Sequence, residues 1–152
     1  FARGDSGEVA QPTDMAMALE ELRSDAERHG HTATVAFHGL PVVTVKPASF
    51  KRCLANLVSN AARHANTISI TGQRDHRYLN ITIDDDGPGI PADMREEVFK
   101  PFLRLDDARN QDEGGSGLGL AIARDIARSH GGDILLSESP MGGLRAAVRV
   151  PV

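Results

Sequence analysis

The order of strand-like and helix-like segments predicts an α/β sandwich with a mixed sheet. Amphipathic stretches with apolar residues at helical spacing are separated by short segments in which apolar and polar residues alternate. The strand-like segments come singly and in pairs, without regular βαβ alternation, which disfavours a doubly wound parallel sheet. The length of 152 residues suits one domain that buries a core.

Composition narrows the class of protein. Hydrophobic residues make up 40% and aromatic residues 4% of the chain, with no Trp, so we expect a mainly aliphatic core. The net charge of -4 argues against a nucleic-acid-binding protein. The single cysteine, Cys53, excludes an internal disulfide and fits a reducing cytosol. No apolar run approaches the about 20 residues that cross a bilayer, so we expect no direct membrane contact by this domain.

Local sequence signals predict the secondary structure of the first 45 residues. The polar segment Phe1–Pro12 contains Gly and Pro, and we expect a linker there. The chain starts without Met, which suggests an excised fragment. Asp14 is a candidate N-cap for a helix over Met15–Arg28. Alternation predicts strands at Thr32–Phe37 and Val42–Val45.

The middle of the chain contains the strongest helix signal. Ala48–Ala65 has an apolar stripe at helical spacing, and two strands follow it, at Thr67–Thr71 and Tyr78–Asp84. Next come a Gly/Pro loop, Asp86–Pro91, and a short predicted helix, Ala92–Val98.

The last third begins with an aperiodic stretch. Arg104–Gly117 is charged and contains glycine, and a structureless stretch of this length in a compact domain is usually functional or disordered. A helix is predicted over Leu118–His130. The strands Asp133–Glu138 and Leu144–Val150 then form a hairpin around Gly142 and Gly143.

Four segments carry chemistry, and the first is a polar helix edge. Residues at i, i+4, i+7 and i+8 share a helix face, which places Asn56, Asn60, Arg63 and His64 on one edge. Amide, guanidinium and imidazole groups can bind the phosphates of a ligand. Mg²⁺ prefers oxygen ligands, so one Asn oxygen together with phosphate oxygens could bind it. A solvated helix face is the alternative interpretation.

The second segment is the acidic glycine loop Asp84–Pro91, directly after a predicted strand. Gly87 and Gly89 allow unusual backbone conformations and close approach of a ligand. A buried carboxylate here could accept a hydrogen bond from an exocyclic amino group such as that of adenine. An ordinary acidic turn is the alternative; a calcium loop is disfavoured because the EF-hand ligand pattern is missing.

The remaining two segments flank the aperiodic stretch. Val98–Arg104 contains two phenylalanines beside a proline, which indicates a core anchor at the root of a loop. Gly114–Ile122 places glycines before a helix, where backbone N–H groups form an anion site. It matches neither a P-loop nor a dinucleotide fingerprint, and a flexible linker is the alternative.

In their order and spacing, the four segments together resemble the GHKL ATP-binding (Bergerat) fold. Asn60 with Arg63 resembles its N box, and Asp85–Ile90 its first G box. Phe99–Phe102 resembles the F box, and Gly115–Leu120 the second G box. Within the family the chain is most similar to EnvZ-like sensor histidine kinases. The resemblance implies a mixed five-stranded sheet under three helices. It also implies an ATP-binding domain over residues 13–152, with a mobile lid at about 104–115. Residues 1–12 would then be a linker or the end of a preceding dimerisation and phosphoacceptor hairpin.

The resemblance also implies roles for individual residues. Asn60 would ligate Mg²⁺ with Asn56 assisting, Arg63 would contact phosphate, and Asp85 would accept from the adenine amino group. The expected catalytic residues are Asn60, Arg63 and Arg104. The other expected nucleotide contacts are His64, Gly87, Gly89, Ile90, Gly115, Ser116, Gly117, Leu118 and Gly119. Arg104 and Arg109 are lid candidates for contact with the γ-phosphate, with a merely solvated position as the alternative. His64 stands where the family commonly has Tyr next to adenine, and it could stack there or be a partly exposed helix-end residue.

The residue at position 56 separates kinases from hydrolases. Family ATPases and anti-sigma serine kinases have a general-base Glu one turn before the metal Asn, and the amide of Asn56 cannot accept a proton in its place. The expected function is therefore that of a histidine kinase domain, which binds Mg-ATP and presents the γ-phosphate to a histidine on a separate domain. The resemblance implies a bacterial, cytoplasmic domain whose full-length parent is anchored in the inner membrane. No histidine here has the phosphoacceptor pattern, so the expected partners are ATP or ADP, an upstream phosphoacceptor hairpin and an OmpR-like response regulator. The alternatives are a degenerate docking module and an anti-sigma type serine kinase.

Overall fold

A computed structural model describes residues 7–100 and 119–152 of the chain. Its strands are β1 Gln11–Asp14, β2 Thr32–His38, β3 Val42–Val45, β4 Thr67–Arg74, β5 Tyr78–Asp85, β6 Asp133–Glu138 and β7 Leu144–Pro151. Its α-helices within these ranges are α1 Met15–Arg28, α2 Pro47–His64 and α3 Gly119–Ser129. Two 3-10 turns, Ala92–Met94 and Glu97–Phe99, lie between β5 and α3.

The main sheet is mixed, as the sequence predicts. Its five strands run in the order β2-β4-β5-β7-β6, with β2 and β4 parallel and every other neighbouring pair antiparallel. In this register the end of β5 meets the start of β7, with Asp84 opposite Arg145. The turn between β6 and β7 therefore lies beside the acidic loop that follows β5.

The three helices cover one face of this sheet and enclose a core of largely aliphatic side chains. Alternate residues of each central strand are buried, and the apolar stripe of α2 packs on them. The largest fully buried side chains are Phe50, Met15, Leu19, Leu54, Leu57, Ile68, Ile70, Leu79, Ile81, Ile83, Ile134 and Val43. The apolar side of α2 thus faces the sheet, and the polar edge predicted for this helix is not buried in the core.

The expected linker contains a strand. Gln11 and Pro12 form the first half of β1, which pairs antiparallel with β3. The sequence QPTD has little strand propensity, and its pairing depends on the Val-rich β3 and on a contact farther upstream. There, the Glu8 carboxylate accepts hydrogen bonds from the Ala48 and Ser49 amides at the start of α2. Folded structure therefore begins before Thr13.

The predicted helix Ala92–Val98 was wrong: the segment forms two separate 3-10 turns. Their hydrogen bonds span three residues, as from Met94 N to Pro91 O and from Lys100 N to Glu97 O. No side chain caps either turn. Lys100 is extended because it precedes a proline, so the second turn cannot lengthen into a helix.

Candidate functional site

Asp85 is the best-defined polar residue of the site. It ends β5 with 4% of its surface exposed. Its Oδ1 accepts hydrogen bonds from the backbone amides of Gly87 at 3.0 Å and Leu144 at 3.1 Å, and its carbonyl accepts from Gly143 N at 3.1 Å. Within the described residues no hydrogen bond is made to Oδ2. One carboxylate oxygen is therefore fixed by the backbone, and the other can accept from an amino group of a ligand.

The two neighbouring acids contribute to the fold. The Asp84 carboxylate pairs with the Arg145 guanidinium at 2.9 and 3.1 Å. Asp86 Oδ1 accepts from the amides of Asn66 and Thr67, each at 3.0 Å. The hydrogen bond from Thr67 is the main cause that holds the pKa of the Asp86 carboxyl below its usual value. Of the three acids, Asp85 is the one whose position fits ligand recognition.

Close backbone contacts shape the loop around Asp85. Gly89 has φ +75°, a conformation that favours glycine. A Cβ at Gly87 would lie 2.7 Å from the carbonyl oxygen of His64, so the acidic loop packs on the end of α2. Ile90 is half-buried, and its carbonyl accepts from Arg95 Nε at 3.0 Å. The acidic loop is thus held against α2, the helix that carries the polar edge with Asn56, Asn60 and Arg63.

Gly143 is a site residue that we did not predict. A Cβ there would collide with Asp85 Oδ1 and would lie 2.5 Å from Asp85 O and 2.6 Å from Gly87 N. In the sequence, Gly142-Gly143 signals only a hairpin turn. Its contact with Asp85 depends on the pairing of β5 with β7, which no local pattern reveals.

The polar edge of α2 lies as predicted. Asn56, Asn60 and Arg63 are half-buried and His64 is exposed, while Leu57, Val58 and Ala61 on the opposite side are buried. Among the described residues, the Asn60 and Arg63 side chains make no hydrogen bond, so both can contact a ligand. Asn56 Nδ2 donates to Gly119 O at 3.2 Å, which joins α2 to the first residue of α3.

Other predicted residues divide between the core and the part outside the described ranges. Phe99 is buried, as expected of a core anchor, and Gly119 is exposed at the start of α3. The predicted residues outside the described ranges are Arg104, Arg109, Gly115, Ser116, Gly117 and Leu118.

Two kinds of feature are absent from the described residues. No group of three or more His, Cys, Asp or Glu side chains there is arranged to hold a metal ion. No helix of the described ranges is long and apolar enough to span a membrane.

Residues 45–152 match the family model described as histidine kinase-, DNA gyrase B- and HSP90-like ATPase. The chain belongs to this family. The matched region includes α2, the acidic loop and the β6–β7 hairpin, which are the elements that surround Asp85. The fold and the family together make this an ATP-binding domain of the GHKL type, as its sequence predicts.

Two similar proteins are sensor histidine kinases. The chain is 38% identical over 136 residues to sensor histidine kinase CpxA of Escherichia coli K12, covering 88% of this chain and 30% of the relative. It is 34% identical over 147 residues to sensor histidine kinase GtrS of Pseudomonas aeruginosa, covering 97% of this chain and 30% of the relative. The chain is thus homologous to the catalytic part of sensor histidine kinases and spans about 30% of these relatives' length.

Solved structures show the same similarity in three dimensions. The ATP-binding domain of PrrB from Mycobacterium tuberculosis superimposes with a TM-score of 0.78 at 27% identity, covering 93% of this chain and 96% of that one. Mycobacterial sensor histidine kinase MprB gives a TM-score of 0.80 at 26% identity, covering 94% and 97%. The mixed sheet and its helical layer are therefore those of histidine kinase ATP-binding domains.

Proposed function

We propose that the domain binds Mg-ATP and presents its γ-phosphoryl group to a histidine on a separate dimerisation hairpin, for later transfer to an aspartate of a response regulator. The observation that carries this proposal is the Asp85 carboxylate, with Oδ1 held by two backbone amides and Oδ2 available. An acceptor-only group at the bottom of a glycine-shaped loop fits the exocyclic amino group of adenine.

The phosphates would extend from Asp85 along the polar edge of α2. Asn60 and Arg63 lie on that edge, without hydrogen bonds to other described residues, and would hold the metal and a phosphate respectively. Mg²⁺, when bound with ATP, would neutralise charge on the phosphates. Arg104, Gly115, Ser116, Gly117 and Gly119 are the further phosphate contacts of this proposal.

Position 56 supports transfer over hydrolysis. A hydrolase of this fold needs a base to activate water, and the amide of Asn56 cannot accept a proton. Its Nδ2 instead donates to Gly119 O, so Asn56 fixes the start of α3 and leaves Oδ1 to assist at the metal. Phosphoryl transfer needs mainly positioning and charge neutralisation, and an imidazole acceptor needs no strong base from this domain.

The partners follow from this function. This domain would act on the histidine of its parent's own phosphoacceptor hairpin and would serve an OmpR-like response regulator. The parent would be a bacterial sensor kinase anchored in the inner membrane, with this domain in the cytoplasm. The names of the CpxA and GtrS relatives support the sensor kinase context.

The transfer step is tested with radiolabelled ATP, Mg²⁺ and a separately produced histidine-bearing hairpin from a sensor kinase relative. We expect acid-labile, base-stable label on the hairpin, and no label when its histidine is replaced by glutamine. The Asn60→Ala variant should lose transfer, whereas Asn80→Ala, on the part of β5 remote from Asp85, should keep it. Release of free phosphate without label would indicate a hydrolase, and acid-stable label would indicate a serine kinase.

A further inference from the structure

Arg95 reaches back to the acidic loop that ends at Pro91. It is half-buried and follows the first 3-10 turn, in which Met94 N donates to Pro91 O at 2.8 Å and so turns the chain back. Its Nε donates to Ile90 O at 3.0 Å, the one hydrogen bond that the Arg95 side chain makes with residues 7–100 and 119–152. The turn thus directs a guanidinium at the backbone of the loop.

The two halves of the acidic loop are held in different ways. The first half is fixed by the hydrogen bonds of Asp86 and Gly87. In the second half, residues 88–90, the bond from Arg95 to the Ile90 carbonyl is the only hydrogen bond within the described part of the chain. A proline has no N–H to donate, and a glycine loses the most backbone freedom when it is ordered. Arg95 is therefore the tether of residues 88–90.

The tethered residues lie close to the groups that hold Asp85. A Cβ at Gly89 would lie 3.4 Å from the carbonyl oxygen of Gly143, so the second half of the loop lies beside the β6–β7 turn. Gly143 N in turn donates to Asp85 O at 3.1 Å. The half-buried side chain of Ile90 packs against the core, while its carbonyl is held by Arg95. A continuous set of contacts thus leads from Arg95 to Asp85.

We propose that Arg95 is a positioning residue for nucleobase binding: its hydrogen bond holds Gly89 and Ile90 in place near Asp85. This inference rests on the proposed function, in which Asp85 accepts a hydrogen bond from the adenine amino group. A loop that is ordered before the ligand arrives lowers the entropic cost of binding. Loss of the tether should therefore weaken the binding of every ligand that contains the base, with or without phosphates.

The test is Arg95→Met, which keeps a long aliphatic side chain and removes the donor. Adenosine and ADP, both followed by chemical-shift titration without Mg²⁺, separate an effect on the base from an effect on the phosphates. We expect both affinities to fall by the same factor, about tenfold, as for loss of a hydrogen bond from a charged donor. The NMR order parameters of the Gly89 and Ile90 amides should also fall in the free variant, which a loss of global stability alone would not produce.

Arg77→Met is the matched control. Arg77 is exposed, directly before β5 and at the end of that strand opposite Asp85, so the substitution removes the same charge away from the site. This control should match the parent for both ligands.

An unchanged adenosine affinity in Arg95→Met would overturn the inference, as would unchanged order parameters of Gly89 and Ile90. A fall in ADP affinity alone would make Arg95 a phosphate contact instead, and a lower melting temperature alone would leave it a structural role only. Failure of the parent chain to bind either ligand would instead overturn the proposed function on which the inference rests.

Discussion

The Asp85 carboxylate, the proposed group for adenine recognition, is held in place by contacts of single residues. Burial of an acid is costly unless its oxygens are hydrogen-bonded, and the amides of Gly87 and Leu144 supply those bonds to Oδ1. Gly143 lies so close that its missing side chain is a condition of this arrangement. The carboxylate is thereby held before a ligand arrives, which lowers the entropic cost of binding.

Substitution of Gly143 by Ala is expected to weaken ADP binding about tenfold or more and to cost about 1–3 kcal/mol of stability, as overpacking does. The new Cβ would meet the backbone atoms Asp85 O and Gly87 N, which cannot move aside like the end of a flexible side chain. Titration calorimetry and thermal unfolding measure the two effects.

Gly142→Ala is the matched control for this prediction. Gly142 has φ +99° but no atom near the Cβ position, so its substitution should strain the turn without touching Asp85. We expect reduced stability with ADP affinity retained. Equal ADP affinities for Gly143→Ala and the parent would contradict the role given to Gly143.

At the scale of elements, the helix that carries the polar edge, α2, packs against α3. Cys53 lies in this contact, fully buried, and its Sγ donates to Ala123 O at 3.4 Å. Burial raises the pKa of the Cys53 thiol from its ordinary 9.0 to about 12. The thiol therefore favours folding fully below pH 9.0, and this contribution is lost as the pH rises towards 12.

We expect Cys53 to be inert towards a thiol reagent at pH 8 while the domain is folded, because the reactive form is the thiolate. The same chain in guanidinium chloride should react at once, which controls for oxidation of the sample. The native rate should rise only as denaturant unfolds the protein. Rapid stoichiometric labelling of the native protein would show that the α2–α3 contact is open.

Elements with strong local signals were predictable from the sequence. The helix Met15–Arg28 has the predicted bounds, since Asp14 caps it through Met17 N at 3.1 Å. Strand β1 was not predictable, because it depends on pairing with β3 and on the remote carboxylate of Glu8. The two 3-10 turns were missed for a different reason: the segment was predicted as one helix although no side chain caps it and Lys100 precedes a proline.

At the scale of the whole molecule, the topology brings distant segments to one end of the sheet. The end of β5, the β6–β7 turn, the second half of α2 and the start of α3 meet there. The sequence revealed the residues of the first two motifs through their types and spacing. It could not reveal Gly143 or the contact of Asn56 with Gly119, because these depend on which segments the fold places together.

The central claim is that this domain binds Mg-ATP through Asp85 and Asn60. Titration calorimetry with ADP and AMPPNP, with and without Mg²⁺, on the parent chain and on Asp85→Asn, Asn60→Ala and the control Asn80→Ala tests it most directly. We predict binding by the parent and the control, loss of binding in Asp85→Asn, and loss of only the Mg²⁺-dependent part in Asn60→Ala. A folded parent chain that binds neither nucleotide, or an Asp85→Asn variant that binds like the parent, would contradict the claim.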